Sequence, residues 1–184
     1  MFSSYGRLEK RSSKKGVDRP QYLKELVDEF NSTESCEARE EVLANLANFA
    51  YDPLNYEWLR KLKIIDIFLN QLSEGTPTLC SFAVSGLCNL SLDQENKSYI
   101  IKNDGVALIR GCLSSPEEST VISAIVTLMF LVTPQSKADI TGTEVVQQIL
   151  VKANGDNPRI RNVAKIFLND YCTPEQVLKA ETMS

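Results

Sequence analysis

No histidine occurs anywhere in the 184 residues, and that single absence removes much of enzymology. Imidazole general bases, His-oriented nucleophiles and His-ligated metals are excluded together. The five cysteines, Cys36, Cys80, Cys88, Cys112 and Cys172, form an odd set with no C-x-x-C pair. A disulfide framework is therefore not expected, and a reducing cytosolic or nuclear setting is the simpler reading. No apolar run approaches the ~18 residues that suggest a membrane span. Charges near the N-terminus, in place of an apolar segment, do not read as a secretory signal. Strand-like alternation is missing throughout. Carboxylates and thiols remain, but no pair of them sits in a catalytic motif, so neither an enzyme, a cofactor nor a small-molecule substrate is expected.

What is present is ordinary in amount and uneven in placement. Hydrophobic residues at 43% and charged residues at 24% fit a soluble globular protein. Residues 1–19 hold Arg7, Lys10, Arg11, Lys14, Lys15 and Arg19 against Glu9 and Asp18, while the rest carries 14 basic and 22 acidic side chains. An acidic body disfavours a broad nucleic-acid footprint, because phosphate affinity comes largely from Lys and Arg. The tail, with its serines and glycines, reads as disordered. Its Lys10, Arg11, Lys14 and Lys15 make either a nuclear-targeting or RNA-touching patch or a solvated segment without an address.

An internal repeat decides the architecture. The segments beginning Leu46-Ala47-Asn48-Phe49, Leu87-Cys88-Asn89-Leu90, Leu128-Met129-Phe130-Leu131 and Leu168-Asn169-Asp170-Tyr171 align, with leading leucines 41, 41 and 40 residues apart. The register extends to Ala83 with Ala124, Ile65 with Val106, Trp58 with Tyr99, Leu72 with Leu113, and Asn55 with Asn96. So many matches at one spacing indicate a solenoid of the 40–47-residue class. Within each period, apolar residues recur at helical steps, as in Val42, Leu46, Phe49 and Ala83, Leu87, Leu90. Thr76-Pro77, Ser115-Pro116 and Asn157-Pro158 mark starts of a long third helix, the second with the spacing of a capping box. Two shorter helices precede it, as over 95–102 and 106–113, and Gly105 is expected to permit the turn between them.

A short helix, a turn, a second helix and a longer third one resemble the armadillo unit. The stretch Cys88-Asn89-Leu90, Asn96, Ile100, Gly105-Val106, Leu108-Ile109, Leu113, Ala124 and Leu128 is similar to that family's consensus. The resemblance covers about residues 20–178 and is weaker in the outer units, where Ile64 stands in the place of Gly105. It implies an all-α, right-handed armadillo-type solenoid of about four imperfect repeats, between a basic tail (1–19) and a flexible C-terminus (179–184). The runs Val42–Pro53, Asn55-Tyr56-Glu57, Gly86–Leu90, Cys112–Pro116 and Ile166-Phe167-Leu168 resemble more narrowly a small armadillo-repeat family of the minor spliceosome. That likeness implies a non-enzymatic nuclear scaffold, or one shared with the cytoplasm, which pairs with an RNA-binding-motif splicing factor. RNA contact would then be indirect or peripheral. The alternatives are an armadillo adaptor of another complex and direct RNA contact through basic residues.

Armadillo third helices line a groove for a ligand. With Asn48 and Asn89 facing it, steps of four predict the rows Glu40, Ala44, Asn48; Ser81, Ser85, Asn89; Ile122, Val126, Phe130; and Asn162, Ile166, Asp170. The two asparagines either bond a partner's backbone or bridge neighbouring helices. Import receptors of this class carry tryptophan where Ala44 and Ser85 stand, so the resemblance does not extend to them. The third repeat, Val121 to Val132, is apolar nearly all round. Its core needs Ala124, Leu128 and Leu131, with Ile125 beside them, which leaves Ile122, Val126 and Phe130 as a docking stripe unless other segments cover it. Arg159, Arg161 and Lys165 are either a basic patch for phosphate or an acidic partner, or a solvated face. Tyr56, Trp58 and Tyr99 read as packing between repeats. Cys80, Cys88 and Cys112 read as small core hydrophobes without an activating basic neighbour.

Overall fold

The structure, a computed structural model, describes residues 18–183, so the tail cations Lys10, Arg11, Lys14 and Lys15 lie outside the described residues. Among these there are twelve α-helices and two short 3-10 turns, and no strand. The first repeat consists of α1 (Arg19–Ser32) and α2 (Cys36–Phe49). In the second, the turn Pro53–Asn55 leads into α3 (Tyr56–Lys61), α4 (Ile64–Glu74) and α5 (Pro77–Leu90). The third comprises α6 (Gln94–Lys102), α7 (Gly105–Gly111) with the turn Cys112–Ser114, and α8 (Glu118–Leu131). The fourth comprises α9 (Lys137–Ile140), α10 (Thr143–Ala153) and α11 (Pro158–Tyr171), and α12 (Pro174–Thr182) follows.

The third helices α2, α5, α8 and α11 are each 14 residues long and stack side by side in chain order. Each presents its apolar stripe to one continuous core. Leu43 and Leu46, then Ala83, Leu87 and Leu90, then Ala124, Leu128 and Leu131, then Ala164 and Phe167 are fully buried. The result is the expected all-α solenoid, in which each unit buries its face only by stacking on the next. At the last unit Leu168, the counterpart of Leu46, Leu87 and Leu128, is only partly buried, and among the described residues no further third helix stacks on α11.

Of the three third-helix starts expected at Thr76, Ser115 and Asn157, two follow the capping chemistry, as does Ser35 at the start of α2. Ser35 accepts from Ala38 N–H, Thr76 from Leu79 N–H, and Asn157 from Arg159 and Ile160 N–H. The expected capping box at Ser115 does not form. Ser115 Oγ accepts from Glu117 N–H at 3.1 Å, and α8 begins only at Glu118. The Glu118 carboxylate is held instead by Asn157 Nδ2 and Arg159, both at 2.6 Å, so a tertiary bond outcompetes the local box. The turn before α7 also differs. The left-handed residue is Asp104 (φ 57°), matched in the second repeat by Lys63 (φ 55°). Gly105 serves close packing, since a Cβ there would stand 2.6 Å from the Ile100 carbonyl oxygen.

A polar clasp recurs where consecutive repeats join. Arg19 donates to Asn55 Oδ1 at 3.2 Å and pairs with Asp52 at 3.7 Å. Forty-one residues later, Arg60 donates to Asn96 Oδ1 and to Asp93, both at 3.0 Å. Asn55 and Asn96 are buried, and Asn55 Nδ2 satisfies the Phe49 carbonyl at the end of α2 at 2.7 Å. The next junction has Ile101 in the arginine's place, and Ser136 Oγ takes over by donating to the Leu131 carbonyl at 2.6 Å. At the far end, Thr173 and Gln176 form a capping box on α12, whose main contacts are with α10. Gln176 Nε2 donates to Thr141 at 2.9 Å, and Ala180 is buried. The C-terminus expected to be flexible from residue 179 is therefore helical to Thr182.

Candidate protein-binding face

The four predicted rows share one side of the stacked third helices. Asn48 is exposed and Glu40 and Ala44 are half-buried on α2; Ser81, Ser85 and Asn89 are half-buried on α5; Ile122, Val126 and Phe130 are half-buried on α8; Asn162, Ile166 and Asp170 are exposed on α11. None of these side chains is withdrawn into the core. A polar ladder runs between them. Thr76 Oγ1 donates to Glu40 at 3.3 Å, Ser81 and Ser119 share a hydrogen bond at 3.3 Å, and Ser85 and Ser123 share one at 3.2 Å. At the other helix ends, Asn89 Nδ2 donates to the Ala47 carbonyl at 3.2 Å, and Tyr56 Oη donates to the Asn89 carbonyl at 2.9 Å. Burial, then the nearby Asp93 and Asp52 charges, raise the Tyr56 phenol above its ordinary range, so it stays a donor.

Asn89 is thus a bridge between repeats, the second of the two roles open to it in sequence. Its amide still has one further N–H and its carbonyl oxygen for a ligand. The side chain of Asn48 is exposed and makes no hydrogen bond among the described residues. Ser85 is half-buried and tied to its neighbour. Along the face, chemistry changes from polar on α2 and α5 to apolar on α8. There Val121, Ala124, Ile125, Leu128 and Leu131 are taken by the core, and Ile122, Val126 and Phe130 remain partly open. They are less open than a free stripe would be, because stacking of α5 and α11 on either side covers their flanks. The apolar surface continues on α11 with Ile166, 49% exposed. The α12 segment, packed on α10, does not close it.

The three basic residues of α11 do not form one free patch. Arg159 is paired with Glu118, Arg161 closes the preceding loop by donating to the Gly155 carbonyl at 3.1 Å, and Lys165 is exposed. Two features escaped the sequence reading. The Arg–Asp–Asn clasp was available to it, since Arg19 and Arg60, like Asp52 and Asp93, stand 41 residues apart. The approach of Cys80 to Cys112 was not, because no local spacing announces it. Among the described residues no three His, Cys, Asp or Glu side chains gather as a metal site would require, and no helix is long and apolar enough to cross a membrane.

The family model of armadillo-like proteins matches residues 19–170. This chain belongs to the armadillo-like family. A curated armadillo relative, armadillo repeat-containing protein 7 of Mus musculus, is 51% identical over 168 residues, covering 90% of this chain and 85% of the relative. Solved armadillo structures agree in fold. A designed armadillo repeat protein superposes with a TM-score of 0.76 at 14% identity, over 98% of this chain and 75% of the other. A second design, in complex with the peptide (KR)4, gives 0.74 at 15% identity, over 97% and 81%. At such identities the likeness speaks for the armadillo fold alone.

Proposed function

We propose that this armadillo chain is a non-enzymatic scaffold that binds a protein partner across its third helices. We further propose that the partner is an RNA-binding-motif protein of the minor spliceosome, engaged in pre-mRNA splicing in the nucleus. The observation that carries the first reading is the half-open apolar row Ile122, Val126, Phe130, continued by exposed Ile166, beside the polar row of Asn48, Ser85 and Asn89. A partly open aromatic flanked by aliphatic side chains suits a binding hot spot, and the adjacent amides offer donors and acceptors to an extended backbone. A designed armadillo protein carrying the peptide (KR)4 supports the use of this fold for peptide capture. The splicing assignment rests on the resemblance of the repeat and loop sequences, while the 51% identical relative supports the armadillo family.

The test is affinity purification of the tagged chain from nuclear extract with mass spectrometry, followed by reconstitution with the recovered protein. Recovery of an RNA-binding-motif splicing factor supports the assignment; a reproducible partner of another class refutes the splicing role and leaves the scaffold standing. Titration of salt then separates apolar docking from direct RNA contact. Phosphate binding weakens steeply with salt, while apolar docking changes little.

A further inference from the structure

Two thiols that no sequence motif joins meet between the second and third repeats. Cys80 lies in the first turn of α5, and Cys112 opens the turn after α7; their Sγ atoms are 3.7 Å apart. Cys112 is buried and also reaches the Leu108 carbonyl at 3.6 Å, whereas Cys80 is half-buried and open on one side. We propose that Cys80 and Cys112 form a redox modification site, in which a hydroperoxide oxidises Cys80 and Cys112 resolves it to an intramolecular disulfide fastening the second repeat to the third.

The geometry divides the labour. Closing to the roughly 2.05 Å of a disulfide asks the two side chains to share a shift of about 1.7 Å. The sulfurs sit on separate elements, so the contact is made by the fold and not by chance rotation of a loop. Cys80 also benefits from the N-terminal turn of a long helix, which favours a thiolate. The hydrogen bond from Cys112 brings the Cys80 thiol down to about 7 against the opposing effect of burial. That same bond, with burial, pushes Cys112 up, so it remains the protonated partner. Elsewhere, burial raises the thiols of Cys88 and Cys172.

The chemistry balances with one hydroperoxide. The Cys80 thiolate attacks the peroxide, the O–O bond breaks, and a sulfenic acid and an alcohol (or water) form. Cys112 sulfur then attacks Cys80 sulfur; the S–O bond breaks, the S–S bond forms, and the Cys112 proton leaves with the hydroxyl as water. The crosslink lies one residue before Ser81, already bonded to Ser119 of α8. It would tie α5 to the turn that leads into α8, and both helices carry the proposed binding face. The proposal is independent of the partner reading, because its readout needs no partner.

The test treats the reduced full-length chain with about one equivalent of hydrogen peroxide, blocks remaining thiols under denaturing conditions, and weighs the protein. Two of the five thiols should be protected, a Cys80–Cys112 linked peptide should appear, and dithiothreitol should reverse both. Cys80→Ser should abolish the loss. Cys112→Ser should instead leave a sulfenic acid on Cys80, trapped by dimedone; should that variant not fold, Cys80→Ser at its half-open position still decides. Unchanged thiol count, a linked peptide joining another pair, stable sulfenic acid on wild-type Cys80, or the same two-thiol loss in Cys80→Ser overturns the proposal.

Discussion

Gly86→Ala sets two effects of opposite sign against each other. Gly86 lies inside α5, where alanine is favoured over glycine by ~1 kcal/mol through backbone entropy. An added Cβ, however, would stand 2.5 Å from Cζ of Phe68 and closer still to its Cε2. Phe68 belongs to α4, is fully buried, and has the core on its other faces. Ordinary carbon contact needs ~3.5 Å or more, so the ring or the helix would have to move by about an ångström in a close-packed interior. Overpacking of that kind costs ~1–3 kcal/mol, and the rigid ring places this site at the upper end. The net expectation is destabilisation of about 1–2 kcal/mol. For a domain of this size that lowers Tm by roughly 2–8 °C, measured by circular dichroism at 222 nm. Phe68→Leu removes the obstructing atoms, so the double variant should be more stable than the sum of the single losses by ~1 kcal/mol or more. A Gly86→Ala protein that melts higher than wild type would show that the ring yields freely and would refute the reasoning.

Arg60→Met should cost about 2–3 kcal/mol in urea unfolding. It strips the bond from buried Asn96 Oδ1, whose Nδ2 has no partner among the described residues, and that loss is worth ~1–3 kcal/mol. The half-exposed Asp93 pair adds at most ~1 kcal/mol, and a loss below ~0.5 kcal/mol would dismiss the clasp as decoration. Phe130→Asp should keep the helical spectrum and weaken capture of the partner by ~30-fold or more, the scale of a 2 kcal/mol hot spot; unchanged affinity by titration calorimetry would place the interface elsewhere. Alkylation of Cys80 should accelerate as pH rises through about 7, where its thiolate forms. A site-resolved labelling profile with its midpoint at the ordinary thiol range near 8.5 would contradict that ionisation.

The repeat, its length and its helical units were legible because a solenoid writes the same burial demand once per period. Leu46, Leu87 and Leu128 occupy equivalent buried positions for that reason, and Thr76-Pro77 and Asn157-Pro158 start helices by chemistry confined to a few residues. Local reasoning failed where a distant group competed. Ser115 has the letters of a capping box, but Glu118 is held by Asn157 and Arg159 from the next repeat. Gly105 looks like the turn residue, yet Asp104 carries the positive φ while Gly105 makes room for Ile100. Phe130 is half-buried, and only the flanking helices set how much of it stays open.

Hydrophobic spacing and capping residues, which act within a turn or two of chain, were enough to dictate an all-α stack of about four units. Bonds between atoms some 30 to 42 residues apart were decided only once the repeats were stacked. Asn89 turns to the Ala47 carbonyl, Arg60 to Asn96, and Cys80 to Cys112 because adjacent units pack at one fixed offset. That offset is a property of the assembled solenoid, since no single repeat contains both partners of any of these bonds.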